Sequence, residues 1–385
     1  IDPFFLEKIK NIVEMEKKIK NNNLTKDILL NAKKHGFSDK RIAKIKHKTQ
    51  ENIRTLRSKL KISPFVKQID TLAAEYPAAT NYLYLTYNGT EDDIYPNTAA
   101  NEAKSVIVLG SGPYRIGSSV EFDWCCVTSA HTVYEAGYAP VIINCNPETV
   151  STDYDMATRL YFEELTAETV SEIYKKENPL GIIVSMGGQT PNNIAQELEM
   201  MGVKILGTKV DSIDTAEDRN KFSALCDKLQ IKQPLWASLA GVDEALEFAQ
   251  NIGYPVLIRP SYVLSGAAMN VAFSSRDLKE YLILASEVST KYPVVISKFH
   301  ENAKEVEIDA VADSGTIVEF AISEHIENAG VHSGDSNVVL PAQKLYIQTV
   351  KEVTDLAKKI AKNLNITGPF NIQFLAIDNE VLVIE

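Results

Sequence analysis

Four apolar residues, Val106-Ile107-Val108-Leu109, run directly into Gly110-Ser111-Gly112, and this junction constrains the chain more than any other feature. An apolar run with no polar alternation must be buried on both faces, and a glycine turn at its end suits a tight strand-to-helix connection. The pattern repeats downstream. It predicts a helix over about 120–135, a strand at 141–143, a helix near 168–177, a strand at 181–184, a helix from Pro191 and a strand at 204–207. Apolar strands alternating with helices mean a parallel sheet covered on both faces.

The flanking regions read differently. Residues 1–70 are helical, with Asp2, Thr25 or Asp27, Ser38 and Thr49 as starts and Gly36 as a stop. Phe5, Ile9, Ile12, Val13 and Ile19 recur at helical spacing and predict one apolar face. Residues 71–100 are rich in Ala, Tyr and turn formers and end in a polar linker near Pro96-Asn97-Thr98. Beyond a helix at about 215–229, strands at 256–260, 294–296, 305–311 and 318–322, helices at 276–290 and 346–364, and a terminal hairpin of 371–377 and 380–385 predict an α+β unit with an antiparallel sheet. The organisation expected is therefore α/β: a helical region 1–100, a parallel α/β domain 101–214 and an α+β domain 215–385.

Charge and composition remove several function classes. Residues 1–70 carry 18 Lys and Arg against 8 Asp and Glu, while the remainder carries 22 against 43. The basic residues sit between apolar ones at helical spacing without interleaved aromatics, which argues for a solvated or partner-facing surface and against nucleic acid. No apolar stretch approaches the length needed to cross a bilayer, so no membrane role is expected. The four cysteines, Cys125, Cys126, Cys145 and Cys226, form no CxxC pair and read as buried free thiols in a reducing, cytoplasmic compartment. A start at Ile1, without Met or a signal peptide, and an end inside a strand predict a piece of a longer chain.

Four groups of residues carry chemistry. Gly110-Ser111-Gly112 with Gly117 resembles a dinucleotide turn, but no acidic residue ends the next strand, which runs into Asn144-Cys145-Asn146-Pro147-Glu148; a tight turn is the simpler reading. Arg259-Pro260-Ser261-Tyr262 followed by Ser265-Gly266 places forked donors at a strand end beside small residues that let backbone N–H groups approach phosphate. The run from Glu324 to Asp335 concentrates ionisable groups, either as a structural network or as a site for anions and cations. Gln373 and Glu385 offer oxygen ligands on neighbouring strands, suited to a hard cation such as Mg²⁺. For those two to share a face, the hairpin loop must be the three residues Asp378-Asn379-Glu380; a two-residue turn would send them to opposite faces.

Read in order, Asn146–Asp155 (NPETVSTDYD), Gly187–Pro191 (GGQTP), Ala216–Arg219 (AEDR), the RPSY run and Ala329–Asp335 (AGVHSGD) resemble carbamoyl phosphate synthetase, an ATP-grasp ligase. The resemblance covers essentially the whole chain. It implies an oligomerisation region, a pre-ATP-grasp domain and an ATP-grasp domain incomplete at its C-terminus. It also implies the second of two ATP sites, where carbamate is phosphorylated. By similarity, Arg219 and Arg259 contact nucleotide phosphates, Ser265 and Gly266 lie in the phosphate loop, Lys298 and His300 line the adenine pocket and Glu305 binds ribose. Gly330, Val331, His332 and Ser333 complete the nucleotide site, with His332 near the transferred phosphoryl group; Gln373 and Glu385 hold metal. His325, Glu327 and Asn328 resemble a potassium-associated segment, and Arg115 and Glu121 resemble positions along a carbamate passage. The implied ligands are ATP, Mg²⁺ or Mn²⁺, K⁺ and carbamate. The implied partners are the first synthetase half and a glutamine amidotransferase, with oligomer contacts through residues 1–100. Ser265-Gly266-Ala267 replaces the bacterial Gly-Gly-Arg and looks like the eukaryotic pyrimidine-pathway type. Because the next metal ligand is missing, the chain on its own is expected to bind metal-nucleotide weakly and to turn over negligibly. Rival readings are a biotin carboxylase-like ligase and an assembly scaffold.

Overall fold

The computed structural model describes residues 1–95, 103–113, 121–239, 241–260, 270–288, 294–330 and 336–385, with backbone alone for Arg259, Pro260 and residues 284–288. Two compact units result, one of the described residues up to Leu206 and one from Gly207 onward.

The first unit begins with α1 (Pro3–Asn21), α2 (Lys26–Lys34), α3 (Asp39–Ile45) and α4 (Gln50–Lys59). Each starts where a short polar side chain meets orphan backbone N–H groups: Asp2, Thr25 and Ser38 accept from the first turn, and Thr49 with Asn52 forms a reciprocal capping box. Ile19, Leu29, Ile42 and Ile53 are fully buried among these helices. The apolar face expected on α1 is divided. Met15 and Ile19 enter the core, whereas Phe5, Ile9, Ile12 and Val13 stay 47–59% exposed. The buried cluster of α2 to α4 takes in only the C-terminal part of α1, so periodicity identified the face but not its partner.

The chain continues through β1 (Phe65–Gln68), β2 (Tyr82–Thr86), β3 (Ser105–Leu109), α5 (Glu121–Glu135), β4 (Ala139–Asn144), β5 (Arg159–Phe162), α6 (Ala167–Glu177), β6 (Ile182–Ile183), α7 (Gln189–Asn192), α8 (Ala195–Met200) and β7 (Ile205–Leu206). These strands form one sheet in the order β1-β2-β5-β4-β3-β6-β7, parallel except for β1, which pairs antiparallel with β2. Residues 71–100 therefore contribute a strand where only irregular chain was expected, and β1 and β5 were also unforeseen. For β5 the sequence explains why: it opens with Arg159, a charge that buried Glu177 meets at 2.8 Å. The strand order reverses between β3 and β6, where loops leave the carboxyl ends of an open α/β sheet. Glycine is obligatory there, since a Cβ on Gly187 would lie 2.3 Å from the Gly110 carbonyl oxygen.

A buried charge network joins the helical region to α6. Arg57 Nε donates to both Asp39 carboxylate oxygens at 3.1 and 3.2 Å, Nη1 to Ile62 O at 3.1 Å and Nη2 to Glu172 Oε1 at 2.8 Å. Lys33 pairs with Glu168, and the Tyr87 ring lies under both Lys33 and Arg57.

The second unit comprises α9 (Val210–Glu217), α10 (Arg219–Lys228), β8 (Trp236–Leu239), α11 (Val242–Ile252), β9 (Val256–Pro260), β10 (Asn270–Ala272), α12 (Ser275–Val288), β11 (Val294–Lys298), β12 (Lys304–Asp313), β13 (Thr316–Asn328), β14 (Val338–Val339), α13 (Ile347–Leu364), β15 (Gly368–Ile377) and β16 (Glu380–Val383). The helix expected at 215–229 is interrupted at Asp218, an extended residue that caps α10 by accepting from Lys221 N. Two antiparallel sheets form, β10-β9-β11-β8 and β14-β13-β12-β15-β16. One face of the larger sheet, with Val306, Ile308, Ile372 and Phe374, is buried with Val353, Ala357 and Ile360 of α13. The other face carries the polar residues described next.

Candidate active site

Alternation along β12 decides the site. Val306 and Ile308 point into the core beneath α13, so Glu305, Glu307 and Asp309 belong to the opposite face. The register with β15 sets Gln373 beside Glu307 and Asn371 beside Asp309. A register shift between Lys304 and Val306 in the β12–β13 pairing accompanies the approach of His325 to the same face. Its Nε2 lies 2.9 Å from Glu307 Oε1 and its Nδ1 3.9 Å from Glu305 Oε2.

Glu307 is the hub of this cluster. Besides His325, it accepts from Gln373 Nε2 at 2.9 Å and from Asn371 Nδ2 at 3.3 Å. A carboxylate only accepts, so the Gln373 amide must turn its NH₂ to Glu307, which leaves Oε1 as an oxygen donor for another group. One ligand atom each from Glu305, Glu307 and His325 falls within 4.8 Å of the others. Two carboxylates and an amide oxygen are hard donors, so this face fits a hard divalent cation.

The hairpin departs from expectation. Ile377 pairs with Glu380, so the loop is the two-residue Asp378-Asn379 turn, with both residues left-handed at φ 44° and 70°. That geometry matches the twist of paired strands, which is why it displaces the three-residue loop. Register slips instead at the far end: Gln373 O accepts from Ile384 N at 2.9 Å while Gln373 N donates to Glu385 O at 2.8 Å. Two residues thus oppose one, as in a β-bulge, and Glu385 stands across from Gln373 despite the short turn.

The remaining predicted residues fall into three groups. Lys298 Nζ donates to the carbonyl oxygens of Gly253 and Tyr254, each at 3.0 Å. His300, two residues on, is held below the usual imidazole range by burial and by the Lys298 charge. The Arg219 guanidinium carbon lies 5.0 Å from the centre of the Trp236 ring. Gly330 has φ 108°, and a Cβ there would meet the Phe299 ring at 2.9 Å. Glu327 accepts from Ser336 Oγ and from the backbone and side chain of Asn337, and these bonds lower its carboxyl to about 2. They tie the two chain segments flanking residues 331–335. Arg259 has its backbone in β9, paired with Val295. Arg115, Ser265, Gly266, Val331, His332 and Ser333 lie outside the described residues, as does the side chain of Arg259. Glu121 opens α5 and is exposed. The sequence reading passed over Glu307, Asn371, Asp309 and Trp236. For Glu307 and Asp309 a signal existed, the period-two acidic series Glu305-x-Glu307-x-Asp309.

The cysteines are free, but only Cys126 and Cys226 are buried, while Cys125 and Cys145 are half-buried. Burial and the neighbouring Asp123 charge push the Cys126 thiol up to about 12, which keeps it inert. Among the described residues no helix is long and apolar enough to cross a membrane.

Comparison with known proteins bears on the same segments. Residues 1–61 match the carbamoyl-phosphate synthetase large chain oligomerisation domain, 102–215 the carbamoyl phosphate synthase preATP-grasp domain and 218–385 the carbamoyl-phosphate synthase L chain ATP binding domain. The chain is 53% identical over 388 residues to Multifunctional protein pyrABCN of Emericella nidulans, covering 100% of this chain and 17% of that protein. It is 52% identical over 388 residues to the mitochondrial ammonia-type carbamoyl-phosphate synthase of Rattus norvegicus, covering 100% of this chain and 26% of that protein. The chain thus spans about a sixth to a quarter of the relatives it matches. In fold it is similar to the biotin carboxylase domain of Hydrogenobacter thermophilus 2-oxoglutarate carboxylase, solved with MgADP, ADP and bicarbonate. That likeness has a TM-score of 0.58 at 20% identity over 74% of this chain and 64% of that one. With three successive domain models and full-length identity in agreement, the chain belongs to the carbamoyl phosphate synthetase large-chain family.

Proposed function

We propose that this chain carries the ATP site that phosphorylates carbamate in carbamoyl phosphate synthesis. The observation that carries the reading is the polar face of the larger sheet in the second unit, where Glu307 is hydrogen-bonded to His325 and Gln373 and Glu305 lies 3.9 Å from His325, inside the segment matching the ATP-binding model. The order of the matches supports the second half of the synthetase: an oligomerisation segment precedes the pre-ATP-grasp and ATP-binding segments. We read 1–100 as the helical oligomer-forming region, 101–214 as the pre-ATP-grasp domain and 215–385 as the ATP-grasp domain.

In the reaction a carbamate oxygen forms a bond to the γ-phosphorus of ATP. The bond from that phosphorus to the β–γ bridging oxygen breaks, and ADP leaves. Such transfers gain most from positioning and from neutralising phosphate charge. Arg219 and Arg259 would bind the phosphates through in-plane donors, and His332 would face the transferred group. Lys298 and His300 would line the adenine side. Glu305 would bind the ribose, and Gln373 and Glu385, with Glu307 nearby, would hold Mg²⁺ or Mn²⁺, which when bound supplies further neutralisation. K⁺ would sit near His325, Glu327 and Asn328. The neighbouring functions would be a bicarbonate-phosphorylating half and a glutamine amidotransferase or an ammonia source, in the cytoplasm, with the product entering pyrimidine or arginine and urea synthesis.

The test is a comparison of partial reactions in the complete synthetase. Arg259→Ala should suppress ATP formation from carbamoyl phosphate and ADP while sparing bicarbonate-dependent ATP hydrolysis. Equal loss of both reactions in a folded variant would refute the assignment to the second half.

A further inference from the structure

Asn88 is followed by Gly89, and nowhere else in the chain does glycine follow asparagine. The pair lies just past the end of β2, at a bend outside any regular element, and Asn88 is exposed. The Asn88 backbone N donates to Thr86 Oγ1 at 3.1 Å. Among the described residues, neither the Asn88 side-chain amide nor the Gly89 N–H is hydrogen-bonded.

Those two groups can react with each other. A backbone nitrogen that gives its proton to hydroxide can attack the Cγ of the asparagine before it. The bond from Cγ to the side-chain nitrogen breaks, that nitrogen takes a proton from water and leaves as ammonia, and a cyclic imide closes. Water then opens the imide at either carbonyl. Opening at Cγ gives aspartate; opening at the main-chain carbonyl gives isoaspartate, whose backbone runs through Cβ and Cγ.

The fold selects Asn88 for this chemistry. A Cβ on the following residue shields its nitrogen, and glycine has none. A nitrogen already in a hydrogen bond must first give that bond up. Alanine, the next smallest follower, comes after Asn31, Asn302 and Asn328. Ala32 lies inside α2, Ala303 N donates to His300 O at 3.5 Å and Ala329 N donates to Ala303 O at 2.9 Å. Packing keeps glycine at 89, since a Cβ there would lie 3.0 Å from Phe65 Cβ.

The flanks of the pair are held. The Tyr87 ring centre is 5.3 Å from Lys33 Nζ and 6.0 Å from the Arg57 guanidinium carbon. Beyond the pair, Asp92 accepts from Val66 N at 2.8 Å and from Lys176 Nζ at 2.8 and 2.9 Å, and Asp93 accepts from Gln68 N at 3.0 Å. Isoaspartate adds a backbone atom and a negative charge to a span fixed at both ends. We propose that Asn88 is a spontaneous deamidation site of the folded protein, and that its isoaspartate product loosens the hold of Tyr87 on Lys33 and Arg57.

The protein is aged at physiological temperature at neutral and mildly alkaline pH, digested in acid and mapped by mass spectrometry. A protein isoaspartate methyltransferase with labelled S-adenosylmethionine is the probe for isoaspartate. The peptide carrying Asn88 should gain the mass of an amide-to-acid exchange severalfold faster than any other asparagine peptide. Its rate should rise with hydroxide, and isoaspartate should exceed aspartate in it. Asn88→Gln should abolish the label there, because glutamine closes a larger ring slowly, and should melt with the fresh parent. Asn88→Asp carries the charge without the extra backbone atom and should also melt near the parent, whereas aged parent rich in isoaspartate should melt lower. An Asn88 peptide that keeps its mass in the folded protein while it deamidates in urea overturns the proposal, because the fold then shields the pair. Earlier reaction at another asparagine overturns it too. Aged parent rich in isoaspartate that melts with aged Asn88→Gln overturns the loosening of Tyr87.

Discussion

Replacing Arg57 by Met removes the centre of the buried network between the helical region and α6 without opening a large void. The guanidinium satisfies Asp39, Ile62 O and Glu172 at once, and the side chains of Arg57, Asp39 and Glu172 are 3%, 1% and 6% exposed. Burial works against the charge on Arg57, yet Glu172, Tyr87 and Asp39 together raise its pKa above the ordinary value. Burial likewise opposes the Glu172 charge, and Arg57 more than compensates, lowering that carboxyl. Removing one member of a buried ion pair costs ~3–5 kcal/mol because the partner is left uncompensated. Here the lower end applies, since Lys33 remains 3.4 Å from Asp39 and Lys175 remains 2.8 Å from Glu172. For a unit of this size, ~3 kcal/mol corresponds to a fall in melting temperature of roughly 6–12 °C. The pH dependence has a definite sign. Glu172 has a lowered folded pKa, so its contribution is present above its unfolded pKa and is lost as pH falls through the folded one. In Arg57→Met that contribution is absent, and protonation relieves the orphaned carboxylates. The gap between parent and variant should therefore be widest near neutrality and shrink as pH drops below about 4.5. Thermal unfolding of both proteins, followed by circular dichroism from pH 7 to pH 4, measures it. A gap below about 2 °C at pH 7, or one that widens in acid, would show that the network contributes little to joining the two regions.

Other consequences follow from single positions. Phe374→Ala empties a fully buried site beneath α13 and should cost ~3–5 kcal/mol in urea unfolding of the second unit, with the denaturant slope unchanged. Asn379→Val forces a β-branched residue to φ 70° and should destabilise by about 1–2 kcal/mol, whereas Asn379→Gly should be neutral or stabilising; equal urea midpoints for the two would contradict the two-residue turn. Gly330→Ala meets both a disallowed φ and the Phe299 ring, so a cost of roughly 1–3 kcal/mol is expected, and hydrogen exchange should rise first at residues 327–330. Glu307→Ala releases the Gln373 amide and His325, and should weaken Mg²⁺-dependent ADP binding in calorimetry while leaving metal-free ADP binding unchanged.

Much of this protein was legible in order along the chain. The unbroken apolar run of β3 demanded a sheet buried on both faces, and Ser38 and Thr49 announced their helices, because these signals depend only on neighbours in sequence. What escaped were features whose cause lies elsewhere in the fold. Arg159 sits in a strand because Glu177, at the end of another element, neutralises it. The exposed half of α1 and its buried half look alike until α2 to α4 choose between them. The backbones of Gln373 and Glu385 stand across from each other through a loop other than the expected one, since the twist of the hairpin selected the short turn and a slip at Ile384 shifted the register. Glu307 became the hub only when β12, β13 and β15 were set side by side. A periodic acidic residue is commonplace in one strand, and its meaning comes from the donors that the neighbouring strands bring to it.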